Sequence, residues 1–79
     1  MSTATNFTTD FITRTKQARE QAGLTQTDIA TILGIKQGLY KQYETRSPLP
    51  HRFVPAFCIA THVTEHWLFT GRQRRIAAE

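Results

Sequence analysis

Thr25-Gln-Thr-Asp-Ile-Ala-Thr-Ile-Leu-Gly34-Ile35-Lys-Gln-Gly-Leu-Tyr40-Lys-Gln-Tyr43-Glu44 reads as two short helices joined by a tight turn. Thr25 is a good N-cap, because its hydroxyl can accept from a free backbone N–H of the first turn. Asp28 falls in that turn, where a negative charge suits the helix dipole. Ile29 and Leu33 recur four apart on one face. Gly34 can take the left-handed conformation that stops a helix, and Ile35 puts an apolar side chain inside the turn. A second helix resumes near Gln37, with Tyr40 and Tyr43 three apart on its inner face. Ala30 is small enough to let the two helices cross closely.

Two helices joined by a short turn containing glycine form a helix-turn-helix, a motif that presents its second helix to the major groove of DNA. A plain helical hairpin is the bland reading of the same pattern. The rest of the composition agrees with the first. The chain has 79 residues and a formal net charge of +4, and its pI is near 9.9, within the range of nucleic-acid binders. Such a length makes one domain with a small core. No long apolar run suggests a membrane span or signal peptide. The lone Cys58 cannot form an internal disulfide, which suits a reducing, cytoplasmic location.

Taken in order, residues 1–9 read as a polar, flexible N-terminal arm. Asp10 can cap a first helix to about Ala22, with Phe11, Thr15, Ala18 and Ala22 on its inner face, and Gly23 ends it. The opening stretch supplies the second and third helices. Pro48 and Pro50 bar a helix from the loop after Glu44. A fourth helix starts at Phe53, with Pro55 in its first turn, and stops near His62. Thr64 caps a last helix, Glu65 to Thr70, and Gly71 closes it. Residues 72–79 form a basic tail with Arg72, Arg74 and Arg75. The expectation is an all-α, compact five-helix domain over residues 10–71. Its core comprises Phe11, Leu24, Ile29, Leu33, Ile35, Tyr40, Tyr43, Phe53, Phe57, Val63, Trp67 and Leu68.

The motifs Ala22-Gly-Leu-Thr-Gln26, Ile29-Ala-x-x-Leu-Gly-Ile35, Tyr43-Glu44, Phe53-Val-Pro55 and Val63-Thr-x-x-Trp-Leu-x-x-Gly71 resemble those of the lambda-repressor-like family. These are the Xre/Cro/cI type of helix-turn-helix regulators. The chain looks most like the DNA-binding domains of lambdoid phage repressors and Cro proteins. The resemblance implies a third helix in the major groove, a homodimer on a palindromic operator, and a transcriptional repressor or phage switch. It also implies that Arg19 on the first helix pairs with Glu44 and is aimed near a phosphate. The chain departs from the family at Tyr40, where an aliphatic residue is usual. Gly38 stands where relatives often carry a base-contacting side chain, and His62 replaces a C-terminal glycine. In length the chain is closer to a Cro-type or short prophage regulator than to a long, self-cleaving repressor.

On this reading the outer face of the third helix carries Lys36, Gln37, Leu39, Lys41 and Gln42. Gln37 and Gln42 are the candidate base readers, and Leu39 can meet a thymine methyl. Gly38 removes a side-chain contact there, unless the gap admits close approach of the backbone to the bases. Lys36 and Lys41, with Arg19, Gln26 at a helix N-terminus, and Arg46, His51 and Arg52 beyond the recognition helix, are candidate contacts to the DNA backbone. The expected dimer surface is Pro48, Leu49, Glu65, His66 and Phe69. Cys58, His62 and His66 recur every four residues, as three zinc ligands on one continuous helix would, but the expected break at His62 argues against a metal. No acidic pair, glycine-rich phosphate loop or oriented Cys–His dyad suggests an enzyme, and no cofactor is implied. The rival reading is a protein-interaction module on the same fold, an antitoxin or anti-repressor partner, using Phe7, Ile32 and the basic tail.

Overall fold

The computed structural model describes residues 3–72, with side chains from Phe7 onward. Five α-helices occur among them: α1 (Thr3–Gln21), α2 (Gln26–Leu33), α3 (Gln37–Gln42), α4 (Val54–Thr61) and α5 (Glu65–Thr70). A short 3-10 turn, His51–Phe53, leads into α4. The basic tail expected from residue 72 lies outside the described residues, apart from Arg72.

α1 begins well ahead of Asp10, so residues 3–9 form its first turns and not an arm. Phe7 accounts for much of this. It stacks on Phe11 one helical turn later, with ring centroids 6.0 Å apart, and such spaced apolar pairs support helix. Phe11 in turn stacks on Phe69 of α5 at 5.1 Å. The two helices are further clamped by Arg14, whose Nε donates to the Leu68 carbonyl at 2.8 Å and whose Nη2 donates to that of Phe69 at 3.1 Å. These are carbonyls of the last turn of α5, which have no partner within the helix.

α2 is fixed at both ends by local chemistry. The Thr25 hydroxyl accepts from the Asp28 N–H at 3.0 Å, and the Asp28 carboxylate accepts from the Thr25 N–H at 2.9 Å. This reciprocal capping box satisfies two otherwise orphaned donors. At the other end Gly34 has φ 74°, and the Ile35 N–H closes onto the Ala30 carbonyl at 2.9 Å. That bond spans the left-handed residue and turns the chain directly into α3.

α2 packs on α3 and α4, and α1 packs on α4 and α5. The buried core contains Phe11, Ala18, Ile29, Ala30, Tyr40, Tyr43, Leu49, Val54, Phe57, Cys58, Val63, Trp67 and Leu68. Leu24, Leu33, Ile35 and Phe53, expected in it, are only partly buried and pack against its edge. Leu49 is the chief addition. It is 3% exposed and pins the Pro48–Pro50 loop to the core, so it is not available to a dimer surface. The buried hydroxyls of Thr15 and Thr61 donate to carbonyls one turn back, at 2.9 and 2.8 Å.

His62 ends α4 at φ 61°, ψ 40°, and no other non-glycine residue described has a positive φ. The left-handed conformation costs an L-residue about 1–2 kcal/mol, and glycine's extra freedom in the unfolded chain offsets about 0.5–1 kcal/mol of any gain. The His62 side chain is exposed, so little packing is lost with it. His62→Gly is therefore expected to stabilise the domain by about 0.5–1 kcal/mol. In urea melts this is a higher midpoint at unchanged slope, and a lower midpoint contradicts it.

Candidate nucleic-acid interface

α3 separates its side chains cleanly. Tyr40 is fully buried, and Tyr43, just beyond the helix, meets it edge-on with ring centroids 6.4 Å apart. Lys36, Gln37, Gly38, Leu39, Lys41 and Gln42 are all exposed. Leu39 is 40% exposed, an apolar side chain left in water on an otherwise polar face. A Cβ added at Gly38 would meet nothing within 4 Å, and its φ is not positive. Neither the packing nor the backbone of the domain requires glycine there.

Behind this face stands Glu44, whose side chain is 1% exposed. Its carboxylate accepts four hydrogen bonds. Arg19 Nε donates to Oε2 at 2.7 Å and Arg19 Nη2 to Oε1 at 3.1 Å. The Tyr40 hydroxyl donates to Oε2 at 2.5 Å, and Gln26 Nε2 donates to Oε1 at 3.1 Å. Burial alone would raise the carboxyl's pKa. The bonds from Arg19, Tyr40 and Gln26, with the charge of Arg19, outweigh it and hold Glu44 below the ordinary carboxylate range. Burial and then the bond to Glu44 push the Tyr40 phenol far above its ordinary value, so it remains a donor. The bond to Glu44 likewise raises Arg19.

The network reaches the surface. Gln26, the first residue of α2, accepts on its side-chain oxygen from Gln37 Nε2 at 2.7 Å. Gln37, the first residue of α3, is thereby tied through Gln26 to the buried carboxylate. Arg19 is spent inside the domain. Besides its fork onto Glu44, its Nη1 donates to the Leu24 carbonyl at 2.9 Å, and its side chain is 13% exposed. That geometry makes it a strut between α1 and the end of α3, not a free arm for a phosphate.

The charge pattern is one-sided. Between Asp28 and Glu65 the sole acid is Glu44, whereas Lys36, Lys41, Arg46 and Arg52 fall in the same span. Since Glu44 is buried against Arg19, the charged side chains left exposed in this span are all cations. Lys36, Lys41, Arg46, His51 and Arg52 are all exposed. The Arg52 guanidinium lies 4.6 Å from the centroid of the Phe53 ring, which holds it at the start of α4.

Of the residues expected at a dimer surface, Pro48, Glu65 and His66 are exposed and Leu49 is not. Phe69 is half-buried against Phe11. Cys58 is buried and His62 leaves the helix, so the four-residue register with His66 is broken. Burial, then the charge of Glu65, raises the Cys58 thiol to about 11. The reach of Tyr40 to Glu44 and the Gln26–Gln37 contact were missed in the sequence. The first had a signal, since Tyr40 and Glu44 are one turn apart.

Residues 16–51 match the model of a protein family described as helix-turn-helix. The matched segment is 36 of the 79 residues and is what the chain shares with that family. The match runs from the last turns of α1 through α2, α3 and the loop beyond, and so contains Arg19, Gln26, Gln37, Tyr40 and Glu44. The helix-turn-helix match supports a DNA-binding transcriptional regulator of the Xre type, in agreement with the lambda-repressor-like resemblance. No curated protein matches the chain. Among the described residues no helix is long and apolar enough to cross a membrane.

Two stability predictions follow from the Glu44 hub. Arg19→Ala leaves a buried carboxylate without its cation and is expected to cost about 3–5 kcal/mol, read by urea or thermal melts. A loss under about 1 kcal/mol is what an exposed pair would give and contradicts the buried assignment. The pH dependence has a definite sign. Glu44 titrates below its ordinary 4.5 when folded, so its contribution is fully present above 4.5 and is lost as pH falls through the folded value. Glu44→Gln is expected to be weaker at neutral pH and to lose less stability in that acid window. An equally steep acid loss in the variant contradicts this.

Proposed function

We propose that this chain is a phage- or prophage-type repressor or Cro-like protein that acts in the cytoplasm and binds a palindromic operator as a homodimer. The observation that carries this is α3 itself. Its inner face is locked by Tyr40 and Glu44, and its outer face offers two amides, an exposed leucine and two lysines with no free acid beside them.

In this reading α3 enters the major groove. Gln37 and Gln42 pair with base edges, Leu39 packs on a thymine methyl, and side-chain-free Gly38 lets the backbone approach the bases. Lys36, Lys41, Arg46, His51 and Arg52 neutralise phosphates and set the register without reading sequence. Gln26, with an amide N–H still available at the start of α2, adds a phosphate contact. Arg19 contributes by holding Glu44. Dimerisation uses Pro48, Glu65, His66 and Phe69 around the loop and α5. It places the half-sites roughly 34–36 Å apart, one turn of DNA. No cofactor or metal takes part.

A second reading, a protein-interaction module of the antitoxin or anti-repressor kind, draws on the apolar side chains left in water. Phe7, Ile32 and Ile59 are 46%, 49% and 70% exposed.

Fluorescence-anisotropy titrations on random and operator-like duplexes over a range of salt concentrations separate the two. The repressor reading expects log affinity to fall linearly with log salt, by about 0.9 per phosphate contacted, with an excess for one sequence. Absence of binding at low salt refutes it. Gln37→Ala is expected to relax preference at one base pair, costing ~1–3 kcal/mol there, whereas Lys41→Ala weakens all duplexes alike. Uniform loss in both variants contradicts the role given to Gln37.

A further inference from the structure

α1 carries two arginines that are both engaged within the domain. Arg19 forks onto Glu44, just past the end of α3. Arg14 forks onto α5, with Nε donating to the Leu68 carbonyl at 2.8 Å and Nη2 to the Phe69 carbonyl at 3.1 Å. Five residues of helix separate the two by about 7.5 Å along the axis and roughly 140° around it. α1 is thus pinned on two sides. One side holds the helix that bears the candidate base readers, and the other holds the helix that bears Glu65, His66 and Phe69. A second route between α3 and α5 runs through α2 and α4. The buried side chains of those two helices are apolar but for Thr61, whose hydroxyl is turned onto its own helix. Such contacts are not directional.

Bonds to two successive carbonyls hold α5 against rotation about its own axis, a freedom that the stack of Phe69 on Phe11 leaves open. The guanidinium is closely seated. A Cβ added at Gly71 would lie 3.3 Å from Arg14 Nη1, and Gly71 itself takes φ 84°. In a homodimer, the separation and twist of the two recognition helices follow from one angle: that between the surface joining the copies and the helix that reads DNA. Building on the homodimer reading above, we infer that Arg14 is a positioning residue for half-site spacing. By locking α5 to α1 it makes the dimer select the length of the operator's centre. Arg14 touches no DNA in this scheme. The reading of a single half-site is outside its reach, because α3 is held from another side of α1 by Arg19 and Glu44.

The test begins with selection of a half-site from a random pool of duplexes. Binding titrations then use duplexes with two inverted copies, their centre at the best length or one or two base pairs longer or shorter, and a duplex with a single copy. One base pair moves a half-site by about 3.4 Å and turns it by roughly 35°. The wild type is expected to lose affinity on the order of tenfold or more when the centre changes. Arg14→Ala flattens this profile and leaves single-copy affinity as in the wild type. Arg14→Lys, which keeps the charge without the planar fork, flattens it part way, and it alone decides if Arg14→Ala does not fold. Ile29→Val weakens the core away from the clamp and keeps the wild-type profile, which separates lost orientation from lost stability. A profile unchanged in the folded Arg14 variants, or flattened as much in Ile29→Val, overturns the inference and leaves the homodimer reading intact. A wild type that binds one copy as tightly as two overturns that reading, and the inference with it.

Discussion

A carboxylate removed from water costs several kcal/mol unless its surroundings replace the lost hydration. Glu44 meets that condition with donors from three parts of the chain: Arg19 from α1, Gln26 from the start of α2, and Tyr40 from within α3. The requirement works in both directions. The charge is tolerated only where those three elements converge, so other placements of α3 against α1 leave an unpaired buried ion. Hydrophobic contacts around Ile29, Tyr40 and Phe57 supply most of the driving force for collapse, but they are not directional. The Glu44 cluster is directional, and it fixes the angle at which the exposed face of α3 is held out.

The same cluster shapes the surface field. A free acid beside α3 would repel a polyanion, yet the chain needs a carboxylate there to organise the helix. Burying it against Arg19 resolves the conflict. The Arg19 charge is cancelled as well, so it adds nothing to attraction at a distance. Long-range attraction falls to Lys36, Lys41, Arg46 and Arg52, which stay in water. Those charges can steer any nucleic acid; in the proposed reading, discrimination falls to the amides and Leu39.

Much of this was readable in the sequence, and what was missed has physical causes. The α2–turn–α3 unit rests on local rules: Thr25 with Asp28, left-handed Gly34, and apolar side chains at helical spacing. Such features act within a few residues and leave a mark in the string. The end of α4 at His62 was legible for the same reason, because the pattern of the helix breaks there even without a glycine. Leu49 was placed on the surface because it sits between two prolines in a loop, and loop context says nothing about which side chain folds back. The early start of α1 was missed because the polar residues before Asp10 hid the spacing of Phe7 and Phe11. The clamp of Arg14 on α5 joins residues more than fifty positions apart, and no local pattern encodes it. At the interface, residue types and exposure on α3 were legible. The bond from Gln37 to Gln26 was not, since each residue makes sense alone as a contact to DNA.

The central claim is that the buried Glu44 carboxylate orders the side chains at the front of the recognition helix before DNA arrives. The side-chain amide signals of Gln26, Gln37 and Gln42 in the 15N NMR spectrum of the free protein test it most directly. Gln26 and Gln37 are predicted to show distinct amide proton shifts, slowed amide-proton exchange with water and mutual cross-relaxation, with the exposed Gln42 averaged as in an unstructured peptide. Gln26 and Gln37 signals indistinguishable from those of Gln42, in a folded domain at neutral pH, would contradict it.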